Sequence, residues 1–254
     1  MKYYVVADVH GFYSILHSAL EDAGFFSEMQ PHKLIMLGDL FDRGTEAKEL
    51  QNFILELMEK DLVILIRGNH EDLYEELVTK DEGRSYSHHR SNGTYDTALQ
   101  LTGFDMGIAR YEHTKFASAG RKTPYYKTIM PAMHDWFETK HYVFVHGWIP
   151  CAMRFGRFYE YRSDWREADP NDWSQARWDN GIEAARNCHE EKTVFCGHWH
   201  TSYGHSRFEN KGSEFGEDAD FSPYIAPGII ALDACTAHSG IINVYIIEDE
   251  EITE

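Results

Sequence analysis

Short apolar runs and helical periodicities alternate along the first eighty residues. The run "YYVVA" (3–7) is followed by Phe12, Ile15, Leu16, Ala19, Leu20 and Ala23, whose three- and four-residue spacing predicts an amphipathic helix. "KLIML" (33–37) precedes a second stretch of this kind, with Leu50, Phe53, Ile54, Leu57 and Met58 on one face. "LVILI" (62–66) then leads into "EDLYEELV". The order strand, helix, strand, helix, strand predicts a layered α/β fold.

From about 80 to 140 that rhythm is lost. "KDEGRSYSHHRSNGTYDT" is polar and irregular, and the segments after it are aromatic with weak helical periodicity. This stretch is expected to be a helical cap inserted into one domain spanning 1–254. Strands return as "HYVFV", "KTVFC", "GIIAL" and "IINVYII", which predicts two facing sheets with helices outside. Between them, "RFGRFYEYRSDWREADPNDWSQARWDNG" reads either as a substrate lid or as a packed loop. No internal repeat, low-complexity segment or linker interrupts the chain.

Apolar residues make up 43% of the chain and charged residues 26%, ordinary values for a soluble globular enzyme. The balance of 24 basic against 42 acidic residues gives a formal charge of −18. Such a surface repels nucleic acid and anionic membranes, but a local positive pocket or bound divalent cations remain compatible with it. No apolar run is long enough to span a bilayer, and "MKYYVVADVHG" does not read as a signal peptide. Cys151, Cys188, Cys196 and Cys235 show neither C-x-x-C spacing nor a framework pattern, so four reduced thiols in a cytoplasmic protein are expected. The same spacing argues against a Cys/His zinc cluster in "CGHWH" (196–200).

Candidate chemistry sits at the ends of the apolar runs. They are followed by Asp8-Val9-His10-Gly11, by Gly38-Asp39 with Asp42-Arg43-Gly44, by Arg67-Gly68-Asn69-His70-Glu71, by His146-Gly147, and by Gly197-His198-Trp199-His200. Side chains at strand ends of an open α/β sheet converge on one crevice. Any one of these residues alone would be read as a helix cap or a core polar group. Together, Asp8, His10, Asp39, Asn69, His146, His198 and His200 form a mixed oxygen and imidazole set that suits Mn, Fe, Zn or Ni rather than calcium. They are too many for one first-row ion, and two ions sharing a bridging carboxylate would use them. Such a pair, about 3.5–4 Å apart, lowers the pKa of a bridging water and clamps a phosphoryl group.

"ADVHG", "LGDLFDRG", "IRGNHE", "VHG" and "GHWH", in this order, resemble the metallophosphoesterase superfamily. The Asp-Arg-Gly of the second block and the Arg before Gly-Asn-His-Glu resemble its phosphoprotein phosphatase branch, which includes Ser/Thr protein phosphatases and symmetrical diadenosine tetraphosphate (Ap4A) hydrolases. "ALDACTAHSG" (231–240) resembles the closing strand segment of bacterial members. The resemblance implies a calcineurin-like β-sandwich of two mixed sheets flanked by helices, with a helical insertion. It implies one ion on Asp8, His10 and Asp39, with His200 as a further ligand, and a second on Asp39, Asn69, His146 and His198. His70 would be the general acid, oriented by Asp42, and Arg43, Asn69 and His70 would contact the phosphate.

A second phosphate arginine is expected between the last two histidine motifs, and Arg177 is the choice, with Arg162 and Arg166 as competitors. Trp148 stands where the family often has glycine, implying a bulkier wall. The implied activity is that of a metal-dependent phosphomonoesterase, a Ser/Thr protein phosphatase, with a hydroxide bridging two ions (manganese first, then iron, zinc or nickel) attacking phosphorus in line. Its partners would be a phosphorylated protein or small phosphate ester. The alternatives are a symmetrical dinucleoside polyphosphate hydrolase and a non-catalytic scaffold; retention of His70, Asp42 and Arg43 argues against the scaffold.

Overall fold

Alternate residues of the apolar runs bury against different layers. The computed structural model describes residues 1–80, 86–154, 156–159 and 164–251. Its strands are β1 (Lys2–Val6), β2 (His32–Met36), β3 (Val63–Leu65), β4 (Phe137–Glu138), β5 (Tyr142–Phe144), β6 (Ala152–Arg154), β7 (Arg157–Tyr159), β8 (Thr193–Cys196), β9 (Tyr224–Ala226), β10 (Ile229–Ala231) and β11 (Tyr245–Glu248). One sheet has the order β11-β1-β2-β3, the other β4-β5-β8-β10-β9, and β6 pairs with β7 alone. The two large sheets are mixed. β1, β2 and β3 run parallel with β11 antiparallel at one edge, and β5, β8 and β10 run parallel between antiparallel β4 and β9.

Tyr3, Val5, Ile35, Phe144, Phe195 and Ile230 form an apolar layer between the two sheets. Their neighbours Tyr4, Val6, Leu34 and Met36 face helices on the far side of the first sheet, and Val143, Val194 and Ile229 do so on the far side of the second. Strands covered on both faces read as unbroken apolar runs, which is why these runs were legible as strands. The fold is thus helix, sheet, sheet, helix, as the sequence predicts.

Helix α1 (Tyr13–Asp22) buries Leu16 and Leu20, and α2 (Ala47–Glu59) buries Leu50, Phe53, Ile54 and Leu57. Burial of each such side chain contributes about 1.5–3 kcal/mol relative to leaving it in water. After β3 comes α3 (Asn69–Thr79), and the stretch expected to form a cap holds α4 (Tyr86–Ser91), α5 (Thr94–Thr102), α6 (Met106–Tyr111) and α7 (His113–Gly120). Tyr95, Ala98, Ala109 and Phe116 of these helices join the core that α1 and α2 build against the first sheet. These helices are therefore packed into the fold, and α5 reaches the site described below. α8 (Pro170–Ala176) and α9 (Gly181–Ala184) cover the second sheet. In the aromatic stretch before α9, Trp165 and Trp173 are core residues, so the described part from residue 164 onward is a packed loop rather than a lid.

The cysteines depart from expectation. Cys151 and Cys188 form a disulfide across 37 residues, while Cys196 and Cys235 are free. The segment after β5 lies against α8, where Trp148 N–H donates to the Ala176 carbonyl, and this tertiary contact brings the two sulfurs together. A pair assembled this way leaves no local spacing to read. Cys196 is fully buried at the end of β8, as a packing residue. Among the described residues no helix is long and apolar enough to cross a membrane.

Candidate metal centre

The parallel strands of both sheets end on the same side of the sandwich, and the motif residues follow those ends. Asp8 and His10 come after β1, Asp39 after β2, Asn69 and His70 after β3, His146 after β5 and His198 after β8. Among the described residues nine non-glycine residues take a positive φ, and six of them are Asp8 (51°), His10 (51°), Asp39 (50°), Asp42 (74°), Arg43 (62°) and His198 (64°). A non-glycine residue in the left-handed region costs about 1–2 kcal/mol, so the strain is concentrated where side chains must be aimed at a common point.

Asp39 lies between two groups of donors. Its Oδ2 is 3.9 Å from His10 Nε2 and 3.8 Å from His70 Nε2, while its Oδ1 is 3.3 Å from His146 Nε2. Ligand atoms of His10, Asp39 and His70, and separately of Asp39, His146 and His198, lie within 4.8 Å of one another. Asp8 faces the same region, with both carboxylate oxygens accepting from His198 N–H at 2.9 and 3.1 Å. Gly197 and Gly68 permit this approach, because a Cβ on the first would overlap Asp8 Oδ2 and on the second Asp39 Oδ1.

Backbone carbonyls fix the tautomers. His10 Nδ1 donates to Phe41 O at 3.0 Å and His146 Nδ1 to Leu37 O at 2.6 Å, which leaves each Nε2 as a lone pair when the ring is neutral. His146 Nε2 then faces Asn69 Oδ1 at 2.8 Å and Asp39 Oδ1 at 3.3 Å. With that ring neutral, three acceptors meet there, an arrangement that a cation resolves. Burial, with Arg43 and His70, holds the His10 ring well below the ordinary imidazole range. Burial and then His146 push His198 down to about 3. Burial works against ionisation of Asp39, but His146, His70, His10 and His198 outweigh it and hold its carboxyl below the usual range. Neutral imidazoles, an ionised central carboxylate and an amide oxygen fit divalent cations.

Beside this set, His70 Nδ1 donates to Asp42 Oδ2 at 2.7 Å. Thr94 Oγ1 donates to the same oxygen at 2.7 Å, and Asp42 N–H donates to Thr97 Oγ1 at 2.9 Å, so α5 locks the carboxylate. Burial disfavours the charged His70 ring, yet Asp39 and Asp42 outweigh it and raise its pKa above the ordinary value. The exposed Arg43 places Nη2 3.4 Å from His70 Nε2.

The family pattern matches residues 1–202, which include the five motif blocks from Asp8 to His200. The chain belongs to the calcineurin-like phosphoesterase family. The chain is 32% identical over 83 residues to serine/threonine-protein phosphatase 2 of Escherichia coli (strain K12), covering 33% of this chain and 35% of that protein. It is 29% identical over 76 residues to an asymmetrical bis(5'-nucleosyl)-tetraphosphatase of Bacillus velezensis, covering 28% of this chain and 30% of that protein. The matched part is thus about a third of each relative's length. Among solved structures, a putative diadenosine tetraphosphatase shares the fold, with a TM-score of 0.50 at 15% identity over 97% of this chain and 89% of the other.

Two residues expected at this site make other contacts in the structure. Arg177 is buried at the end of α8, with Nε 2.9 Å from Asp72 Oδ2, Nη2 3.3 Å from Asp72 Oδ1 and Nη1 2.5 Å from Asp135 Oδ1. Its donors are taken by two carboxylates, which replaces the expected phosphate contact with a structural one. His200 is the N-cap residue of α10 (Thr201–Phe208), its Nε2 is 2.8 Å from Glu214 Oε1, and like Asp8 it belongs to neither of the two donor groups around Asp39. The competitor Arg166 holds Glu138 in a bidentate pair at 3.1 and 2.7 Å and lies 4.1 Å over the Trp165 ring. Arg162 lies outside the described residues. Trp148 is a core side chain on the far face of the second sheet, so it adds no bulk to the site wall.

Sequence reasoning passed over Glu71, which is fully buried. Its Oε2 accepts from Gly68 N–H (2.8 Å) and Asp39 N–H (3.0 Å), and its Oε1 accepts from Leu40 N–H and Tyr125 O–H (both 3.1 Å). One carboxylate thus ties the Asp39 loop to the start of α3. Its place as the third residue of that helix was the available signal, since a Glu there reaches back to the N-terminal amides.

Proposed function

We propose that this phosphoesterase is a two-ion phosphomonoesterase acting on phosphoserine or phosphothreonine in proteins. The observation that carries the reading is Asp39, whose two oxygens face separate donor groups with the His70–Asp42 pair alongside. Asp8, His10 and Asp39 would hold one ion, and Asp39, Asn69, His146 and His198 the other. Asp8 is preferred to His70 as a ligand because His70 Nδ1 is committed to Asp42 and its Nε2 faces the Arg43 guanidinium. The mixed donor set suits manganese, with iron, zinc or nickel also compatible.

When bound, two divalent ions lower the pKa of a shared water and neutralise charge on a phosphoryl group. The chain's own residues supply the rest. Arg43 presents a guanidinium to phosphate oxygens, a geometry suited to bidentate hydrogen bonding. His70 donates a proton from Nε2 to the leaving oxygen, and Asp42 holds the ring in the orientation that transfer requires.

One of the two relatives acts on phosphoproteins by name and the other on a dinucleotide. A single phosphoryl group is the better fit, because Arg177 and Arg166, the arginines expected to steady further phosphates, are committed to carboxylates. The test compares phosphoserine peptide, p-nitrophenyl phosphate, bis-p-nitrophenyl phosphate and Ap4A with Mn2+ present. The phosphopeptide should have the highest kcat/KM. A preference for the dinucleotide would support the rival hydrolase, and inactivity on all four a scaffold.

A further inference from the structure

Strands β1, β2, β3, β5 and β8 each deliver a donor to the proposed centre, and β10 runs parallel beside β8 in the same direction. The residue it delivers is Asp233. Ala231 pairs with Cys196, Leu232 N–H donates to the Cys196 carbonyl at 3.0 Å, and Thr201 N–H donates to the Asp233 carbonyl at 2.8 Å. That register sets Asp233 level with His198 on the neighbouring strand. Asp233 is buried there, 7% exposed.

Asp233 also braces the Asp8 backbone. Its Oδ1 accepts from Cys235 N–H at 2.7 Å, holding Cys235 at a φ of 51°, and the adjacent Thr236 hydroxyl donates to the Asp8 carbonyl at 3.1 Å. A turn-stabilising role alone would need only an oxygen acceptor, which asparagine supplies equally well. The negative charge is what such a role leaves unexplained. Burying Asp233 close to Asp8, itself 1% exposed, is unfavourable in the ion-free fold.

We infer that Asp233 is a further acidic residue of the ion-binding centre, adding a carboxylate on the side of Asp8 and His10; this rests on the two-ion reading above. That side then carries Asp8, Asp39 and Asp233 with one imidazole, whereas the other carries Asn69, His146 and His198 around the shared Asp39. Oxygen-rich sets suit harder ions and imidazole-rich sets softer ones, so the two positions differ in the ion they favour.

The test is Asp233→Asn, which keeps an acceptor for Cys235 N–H and removes the charge. Mn2+ binding to the whole chain is followed by calorimetry, and the melting temperature of the ion-free protein is recorded alongside. Wild type should bind two ions. The variant should bind one ion as wild type does and the other about 10–100-fold more weakly, the usual scale for residues supporting metal ligands. Its ion-free melting temperature should equal or exceed that of wild type, because a repulsive charge is gone. Two ions bound with wild-type affinities, or a lower melting temperature with unchanged binding, would leave Asp233 a turn residue and overturn the inference. Asp8→Asn in the same assay shows that loss of one ion is detectable. Failure of wild type to bind two ions would instead overturn the two-ion reading on which the inference depends.

Discussion

His70→Asn is expected to lower kcat on a phosphoserine peptide by about two to four orders of magnitude, the range for loss of a positioned general acid. Both ions should remain bound. The ring makes its strongest contact with Asp42, 2.7 Å from Nδ1, and the proposed ligand set does not include it. The loss should be smaller on p-nitrophenyl phosphate, whose phenolate leaves without much protonation. An equal loss on both substrates would contradict the acid role. Loss of the ions would mean that His70 acts as a ligand, a position its proximity to His10 and Asp39 makes geometrically available.

Asp39→Asn should abolish metal-dependent turnover by releasing both ions together. Asparagine tolerates the left-handed backbone at this position, and its side-chain oxygen can still accept the His70 N–H that Asp39 Oδ1 accepts at 3.0 Å. The local fold should therefore survive while the shared charge is lost. A single ion at about 100 times its dissociation constant stabilises a fold by roughly 2.7 kcal/mol. The rise in melting temperature that Mn2+ gives wild type should accordingly disappear in the variant. Retention of one ion at wild-type affinity would show that Asp39 serves one position only.

The parts of this architecture that could be read from sequence share a physical cause. "YYVVA" and "KTVFC" announced strands because helices cover one face and the opposing sheet the other, leaving no polar alternation. His10, Asp39 and His198 stood out because each is a polar residue beside a glycine just after an apolar run, where the backbone turns sharply. What stayed hidden depends on contacts between distant segments. "WSQARW" places an arginine in the right stretch, but Asp72, 105 residues away, and Asp135 decide where Arg177 points. The Cys151–Cys188 pair is closed by the loop after β5 lying on α8. Thr94 and Thr97 look like ordinary helix residues until α5 packs over Asp42. Asp233 reads as a turn former unless its register beside His198 is known.

The most direct test of the central claim is a titration of Mn2+ into ion-free protein, with turnover of a phosphoserine peptide followed at each addition. The two donor groups around Asp39 predict that two ions bind per chain and that turnover appears as the second position fills. Full turnover with one ion per chain, or turnover that survives removal of all divalent ions, would contradict it.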